Sequence, residues 1–339
     1  MRRDRARLDA RLRLTHLAIG GWAAQALFAG NELGVFDLLN EIGPASQEEV
    51  AQRLGTEPDA TGRLLGALVA AGVLEHEGDR FQNGLGAREF LLSGSPESMS
   101  TWVGLIHTWN ETFNNLAESV RSGDPAEVPE EHLGISDEYT RSFILGMHDY
   151  AQGPGHELAR HLDLKGRKRL LDVGGGPGTY SILLAEANPG LSCTVYDLPS
   201  VTTIAREVID KHGLSERVST FDGDYHTDDF PRGYDVVLVS NTLHQEDDET
   251  CVRIMKQAYE SLEPGGICVI HAMPMNETKD GPLWPALHNL LMLLVYRGGR
   301  AYTVGQYSDQ LLAGGFTDPT HHTMSIYNAG SYIVAQRGD

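Results

Sequence analysis

A chain of 339 residues with 41% apolar content is long enough for two domains that each bury a core. Its 47 acidic against 27 basic side chains give a net charge of −20, which excludes the positive footprint that nucleic acids and anionic membrane surfaces require. Cys193, Cys251 and Cys268 stand singly, without metal-ligand spacing or a disulfide framework, so reduced core thiols and no metal are expected.

Arg2, Arg3, Arg5 and Arg7 precede an apolar stretch containing Ala24-Gln25-Ala26, which imitates a signal peptide. Gly20 and Gly21 interrupt that stretch, amphipathicity continues past the supposed cleavage site, and no apolar run reaches transmembrane length; a soluble, cytoplasmic protein is expected. Residues 8–40 carry helical periodicity through Leu14, Leu17, Ala18, Trp22 and Ala26, then Leu33, Phe36, Leu38 and Leu39. Ser46 with Glu48 and Glu49 opens a short helix that Gly55 ends. Asp59 opens another through Leu64, Leu65, Leu68 and Val69, and VLEHEGDRFQNG reads as a hairpin turning at Glu77-Gly78-Asp79. Two helices and a small hairpin make a winged-helix pattern, whose competing reading is a DNA-binding module. A recognition helix carries base-reaching side chains outward, and the helix from Asp59 to Ala71 offers only Arg63, so packing explains it better.

Residues 99–122 are predicted as one amphipathic helix closed by Gly123-Asp124-Pro125. Trp102, His107, Trp109, Asn110 and Phe113 crowd its first half, a mix that reads either as an aromatic core stripe or as a pocket wall. A second helix, 137–162, is expected to break near Gly153-Pro154-Gly155, with Phe143, Met147 and Tyr150 facing a ligand.

The organising stretch follows. Leu170 to Val173 is a short apolar strand that enters Gly174, Gly175, Gly176 and Gly178; an amphipathic run from Thr179 to Asn188 and a second strand ending at Asp197 come next. Glycines allow close backbone approach to a ligand, the helix N-terminus supplies unpaired N–H groups, and an acid about 20 residues on suits a ribose diol. The alternation continues: a helix from Val201 to His212, a strand from Val218 leading to Asp222-Gly223-Asp224, a strand from Tyr234 to Ser240 leading to His244, a helix from Glu249 to Leu262, and a strand from Ile267 to Ala272. Helices at 284–296 and 304–314 and strands at 319–326 and 331–336 complete it. This predicts an α/β, doubly wound, largely parallel sheet with its ligand at the carboxyl ends of the strands, where Asp197, Asp224, His244 and His271 gather.

LLDVGGGPG, YDLPSV, the GDY at 223–225 and the LH-acidic segment at 243–249 resemble the plant-type small-molecule O-methyltransferase family and its bacterial natural-product members. The resemblance covers nearly the whole chain. It implies a winged-helix dimerisation domain (1–98), a helical linker lining the substrate pocket (99–162) and a Rossmann-like catalytic domain (163–339) that binds S-adenosyl-L-methionine (SAM), in a homodimer without metal. It implies Gly174 and Gly176 at the methionine part, Asp197 at the ribose and Asp224 and Tyr225 at the adenine, with Leu198 and Ser240 completing the cofactor set. Candidate acceptor contacts are His107, Trp109, Asn110, Phe143, Met147, Tyr150, His271 and Asn289.

In that family the histidine matching His244 is the general base, followed by Asp-Trp and held by two acids. This chain has Gln245-Glu246 after it, and His271-Ala272 and Arg300-Ala301 where the acids would fall. An acid bonded to imidazole fixes its tautomer and raises its basicity; without one, His244 reads equally as a base or as a polar wall. An acceptor with a ready lone pair needs no base, so the first-ranked expectation is S-methylation of a small thioether acid such as 4-methylthio-2-hydroxybutyrate, the branch leading to dimethylsulfoniopropionate. Arg141, Arg297, Arg300, His107 and Tyr150 are candidate partners for its carboxylate. O-methylation of a phenol or alcohol by His244 is the alternative, and a SAM-binding member that transfers no methyl is the third.

Overall fold

The computed structural model describes residues 2–126, 136–324 and 330–338. The chain divides into two compact units, Met1–Thr108 and Trp109–Asp339.

In the first unit α1 (Arg2–Glu32) runs through Gly20 and Gly21 without interruption, and Leu8, Leu12, Leu14, Leu17, Ile19 and Trp22 along it are exposed. After α2 (Val35–Ile42), α3 (Gln47–Leu54) opens on a reciprocal cap. The Glu49 N–H donates to Ser46 Oγ, and the Ser46 N–H donates to Glu49 Oε2 at 2.7 Å. α4 (Pro58–Ala70) begins one residue earlier than the sequence suggested, because the Glu57 carboxylate accepts from the Asp59 and Ala60 N–H groups. β1 (Leu74–Glu77) and β2 (Arg80–Asn83) form the expected hairpin, and α5 (Leu85–Phe90) follows. Leu65 and Leu68 of α4 are fully buried in a core shared with Val35, Phe36, Leu39 and Val50, so this helix spends its apolar face on packing.

α6 (Ser100–Thr112) ends where one long helix was expected to continue. Phe113–Asn115 form a 3₁₀ turn before α7 (Leu116–Ser122). Asn114-Asn115 competes with helical backbone bonding through its side-chain amides. The tighter turn goes with Trp109, Phe113 and Leu116 packing on Leu291, Met292, Leu294 and Val295.

α8 (Asp137–His161) passes unbroken through Gly153-Pro154-Gly155, against expectation. Proline removes one helical N–H, yet tertiary packing holds the helix in register. At Gly155 a Cβ would stand 2.6 Å from Leu183 Cδ1, so glycine lets α8 lie against α9 (Thr179–Ala187). Gly155→Val is expected to destabilise the unit by about 1–3 kcal/mol through overpacking, seen as a lower urea midpoint at unchanged slope. An unchanged midpoint would remove close approach as the reason for the glycine.

The remaining elements of the second unit are β3 (Arg169–Val173), β4 (Ser192–Asp197), α10 (Pro199–Lys211), β5 (Val218–Asp222), β6 (Tyr234–Ser240), α11 (Asp248–Ser261), β7 (Leu262–Ala272), α12 (Leu283–Val295), α13 (Val304–Ala313), β8 (Thr317–Thr323) and β9 (Ser331–Gln336). They build a seven-stranded sheet in the order β5-β4-β3-β6-β7-β9-β8; β3 to β7 are mutually parallel, β9 is antiparallel to β7, and β8 pairs antiparallel with β9. β7 starts five residues before Ile267 because Leu262 already pairs with Tyr234, ahead of a register shift. The last stretch of the penultimate predicted strand, 325–326, lies outside the described residues. Side chains alternate across the sheet, with Leu170, Val195 and Val236 in one buried cluster and Leu171, Val173 and Val237 in the other. Strand order reverses between β3 and β6, which opens a crevice at their carboxyl ends. Among the described residues no helix is long and apolar enough to cross a membrane.

Candidate functional site

At the carboxyl end of β3 the chain turns through Gly174, with φ +64°, where a Cβ would lie 2.8 Å from Thr242 Oγ1. Only glycine takes this conformation so close to the β6 turn. α9 then starts behind Gly178 with no side-chain cap, leaving its first N–H groups for other partners. The turn borders a cavity of about 620 Å³ in the second unit. Its wall continues with Asp197 and Leu198 after β4, Gly223 to His226 after β5, and Ser240 to Thr242 after β6. Phe143, Met147 and Tyr150 add one face of α8, at the helical spacing anticipated.

The carboxylate of Asp197 accepts from the Gly176 N–H and the Leu198 N–H, each at 2.8 Å. Burial pushes its pKa up to about 6 although both N–H groups pull it down. Beneath the glycine turn Asp172 is fully buried, accepts from the Ser181 hydroxyl at 2.8 Å, and is raised by burial to about 7. At the β5 end the Tyr225 hydroxyl donates to Glu246 Oε1 at 2.7 Å, and His226 Nε2 approaches the same oxygen at 3.3 Å. Burial first, and then Glu246, raise the Tyr225 pKa.

Asn241 has a left-handed backbone, φ +53°. Its Nδ2 donates to the Tyr180 hydroxyl at 3.2 Å, while its buried Oδ1 has no hydrogen-bond partner among the described residues. His271 is buried behind the lining, with Nδ1 2.8 Å from Ser240 Oγ and its ring tilted on Tyr180. Burial lowers its pKa to about 4.

His244 is buried in the 3₁₀ turn after β6 and, among the described residues, stands behind the cavity lining. An edge-on His288 ring lies 4.6 Å away. Burial, and secondarily His288, hold the His244 pKa well below 6.5, so the ring is neutral at working pH. The acids that follow it are engaged elsewhere: Glu246 with Tyr225, Asp247 capping α11 at the Thr250 N–H, and Asp248 with Gln310. Trp109 joins the cluster on α12, and Asn289 Oδ1 accepts from the Ala301 N–H at 2.8 Å. Asn110 is half-buried and outside the described lining. His107, in the first unit, stacks on Phe28 at 4.9 Å. Of the three candidate arginines only Arg297 is in the described lining, where it pairs with Asp124 at 2.9 Å; Arg141 pairs with Glu207 on the surface.

Sequence reasoning missed His288, Glu246, Tyr180, Asn241 and Met273. His288 adjoins Asn289, which was singled out, but nothing in one sequence says which α12 face meets the β6 turn.

The site's own features suit a nucleoside donor with a charged amino-acid tail. The glycine turn is a cradle that a Cβ would fill, Asp197 offers acceptors, and the orphan Asn241 oxygen calls for an N–H donor. Residues 113–317 match the O-methyltransferase domain, and residues 15–93 match the O-methyltransferase dimerisation domain. The chain belongs to the O-methyltransferase family. It is 35% identical to a 3-hydroxy-5-methyl-1-naphthoate 3-O-methyltransferase of Streptomyces sahachiroi over 90% of this chain and 89% of that protein. It is 30% identical to an L-tyrosine C(3)-methyltransferase of Streptomyces lavendulae over 91% and 87%. The human N-acetylserotonin methyltransferase in complex with SAM superposes with a TM-score of 0.90 at 27% identity, covering 97% of this chain and 98% of that one. This methyltransferase therefore uses SAM, carries a dimerisation domain and acts on small molecules, as the motifs implied.

Proposed function

We propose that this methyltransferase methylates the phenolic oxygen of an aromatic carboxylic acid. The observation that carries the reading is the wall beside the glycine turn: Phe143, Tyr150 and Tyr296 offer flat aromatic surface, and Met147 and Met273 add apolar contact. The Arg297 guanidinium stands among them, paired with Asp124, a partner it would share with or exchange for the acceptor carboxylate. Such walls take an aromatic ring, and a guanidinium takes a carboxylate. The two bacterial relatives are named for a hydroxynaphthoate and for tyrosine, both phenols carrying a carboxylate. The thioether acid expected from the sequence is not supported by them, and the missing acids beside His244 are all that remains in its favour.

SAM supplies a methyl group already activated on a sulfonium. Gly174, Gly176, Asp197, Leu198, Asp224, Tyr225 and Ser240 are proposed to hold it, with the methionine part at the glycines, the ribose at Asp197 and the adenine beside Tyr225. The chain's remaining tasks are alignment, exclusion of water and removal of the phenolic proton. His244 is neutral and stands just behind the lining, so taking that proton requires its ring to reach the cavity during turnover; lacking a carboxylate partner it is a weak base, so it serves a phenol of low intrinsic pKa. A homodimer is proposed as well, since the exposed apolar residues of α1 fall within or beside the dimerisation domain.

The test is S-adenosylhomocysteine release with SAM and a panel: hydroxynaphthoates and hydroxybenzoates, the same phenols without carboxylate, and 4-methylthio-2-hydroxybutyrate. Turnover is expected with the aromatic acids, at about 10-fold or higher kcat/KM than with the uncharged phenols, and product NMR should place the methyl on oxygen. Turnover confined to the thioether would restore sulfur transfer, and a ring-bound methyl would replace oxygen by carbon.

A further inference from the structure

α8 carries a polar chain that neither the motifs nor the proposed roles use. His148 Nδ1 is 2.8 Å from Thr179 Oγ1, and its Nε2 is 3.0 Å from Gln152 Nε2. The Gln152 amide nitrogen can only donate, so His148 Nε2 accepts and its single proton is on Nδ1. His148 Nδ1 then donates to Thr179. Burial, aided by the neighbouring His212 and Lys211, keeps this imidazole neutral, with a pKa of about 4, so the tautomer persists through the working pH range.

Thr179 is 99% buried from solvent in its first-turn position on α9, yet it borders the cavity beside Gly175, Gly176 and Pro177. With His148 donating to a lone pair of its oxygen, the Thr179 proton is not spent on His148 and is left for a partner in the cavity that the residue borders. A hydroxyl fixed as a donor recognises an anion or a carbonyl, not an ammonium. In SAM the only anion is the methionine carboxylate.

We propose that Thr179 donates to the carboxylate of the bound methyl donor and that His148 is the positioning residue that fixes this hydroxyl as a donor. The proposal rests on SAM occupying this cavity. Gln152, in turn, selects the His148 tautomer.

The experiment measures affinity, not turnover. S-adenosylhomocysteine, which has the carboxylate, and 5′-methylthioadenosine, which lacks the amino-acid tail, are titrated calorimetrically into the full-length protein and its variants. Thr179→Val is expected to weaken S-adenosylhomocysteine by about 10-fold or more, the loss of a charge-assisted hydrogen bond, and to leave methylthioadenosine unchanged. His148→Ala is expected to cost about 3- to 10-fold with the same selectivity. His148→Asn, whose amide N–H mimics Nδ1–H, and Thr179→Ser should bind as the unsubstituted protein does. The decisive comparison is the double variant: the His148→Ala loss should vanish when Thr179 is already valine. Additive losses, or equal losses for both ligands, would make His148 a structural residue and overturn the proposal. Unchanged S-adenosylhomocysteine binding in Thr179→Val would do the same. Failure of the unsubstituted protein to bind S-adenosylhomocysteine would overturn the cavity assignment itself and this proposal with it.

Discussion

Replacing His244 by alanine is expected to lower kcat/KM for the phenolic acceptor by about 10² to 10⁴-fold, the usual range for a lost general base. The affinity for S-adenosylhomocysteine should stay within about twofold, since proton transfer is the only role proposed for this ring. The pH profile separates this base from an ordinary histidine. Burial and the edge-on His288 lower the His244 pKa well below 6.5, so the neutral, proton-accepting form persists as pH falls. The rate should therefore show no limb near 6.5 and should follow the ionisation of the acceptor instead. His288, itself lowered by burial to about 4, adds no limb there either. A rate limb near 6.5 that disappears in His244→Ala would mean that a carboxylate reaches the ring during turnover. A variant with full activity would remove the base and favour an acceptor that loses no proton.

The parts of this molecule that sequence reasoning reached are those governed by local chemistry. The Ser46 and Glu49 cap, the hairpin turn at Gly78-Asp79 and the strand–glycine–helix–strand unit ending at Asp197 follow from residues a few positions apart. The register of Phe143, Met147 and Tyr150 on one helical face was legible for the same reason. What failed were places where distant packing overrode a local signal. Pro154 reads as a helix break, but α8 stays whole because Gly155 rests on Leu183, 28 positions further along. Residues 113–115 read as helix, but an asparagine pair and the apolar face of α12 turn them into 3₁₀. In the site the absence of acids beside His244 was visible in the sequence, whereas the histidine that stands there instead was not. His288 is 44 positions away, and only the packing of α12 on the β6 turn brings the two rings together.

Asp197 should show the opposite signs of binding and stability. Its carboxylate, proposed to accept from the ribose hydroxyls, is raised by burial from 3.8 to about 6. Donor binding favours the ionised, acceptor-only form, so affinity for S-adenosylhomocysteine should be constant above about pH 7 and fall roughly tenfold per unit once pH drops below 6. Asp197→Asn should weaken binding by about 10²-fold at pH 7.5 and lose this pH dependence, because an amide offers one acceptor and turns a donor towards N–H groups. Folding runs the other way. A carboxyl whose pKa is higher in the folded than in the unfolded state stabilises below pH 4, and that contribution disappears as pH rises through 6. The unsubstituted protein should thus lose up to about 3 kcal/mol between pH 4 and pH 7.5 that the asparagine variant keeps, read as the change with pH in their difference in unfolding free energy. Asp172 is raised to about 7 mainly by burial and in part by the Asp197 charge, so it cancels from that difference except for the part that the Asp197 charge contributes. A ligand affinity independent of pH in the unsubstituted protein would dismiss Asp197 as the ribose acid. A variant that lost binding without changing the slope of stability with pH would show that burial does not hold the carboxyl proton. The acid that serves the donor is then one that the empty fold would be more stable without, and the donor's hydroxyls supply the partners that its burial lacks.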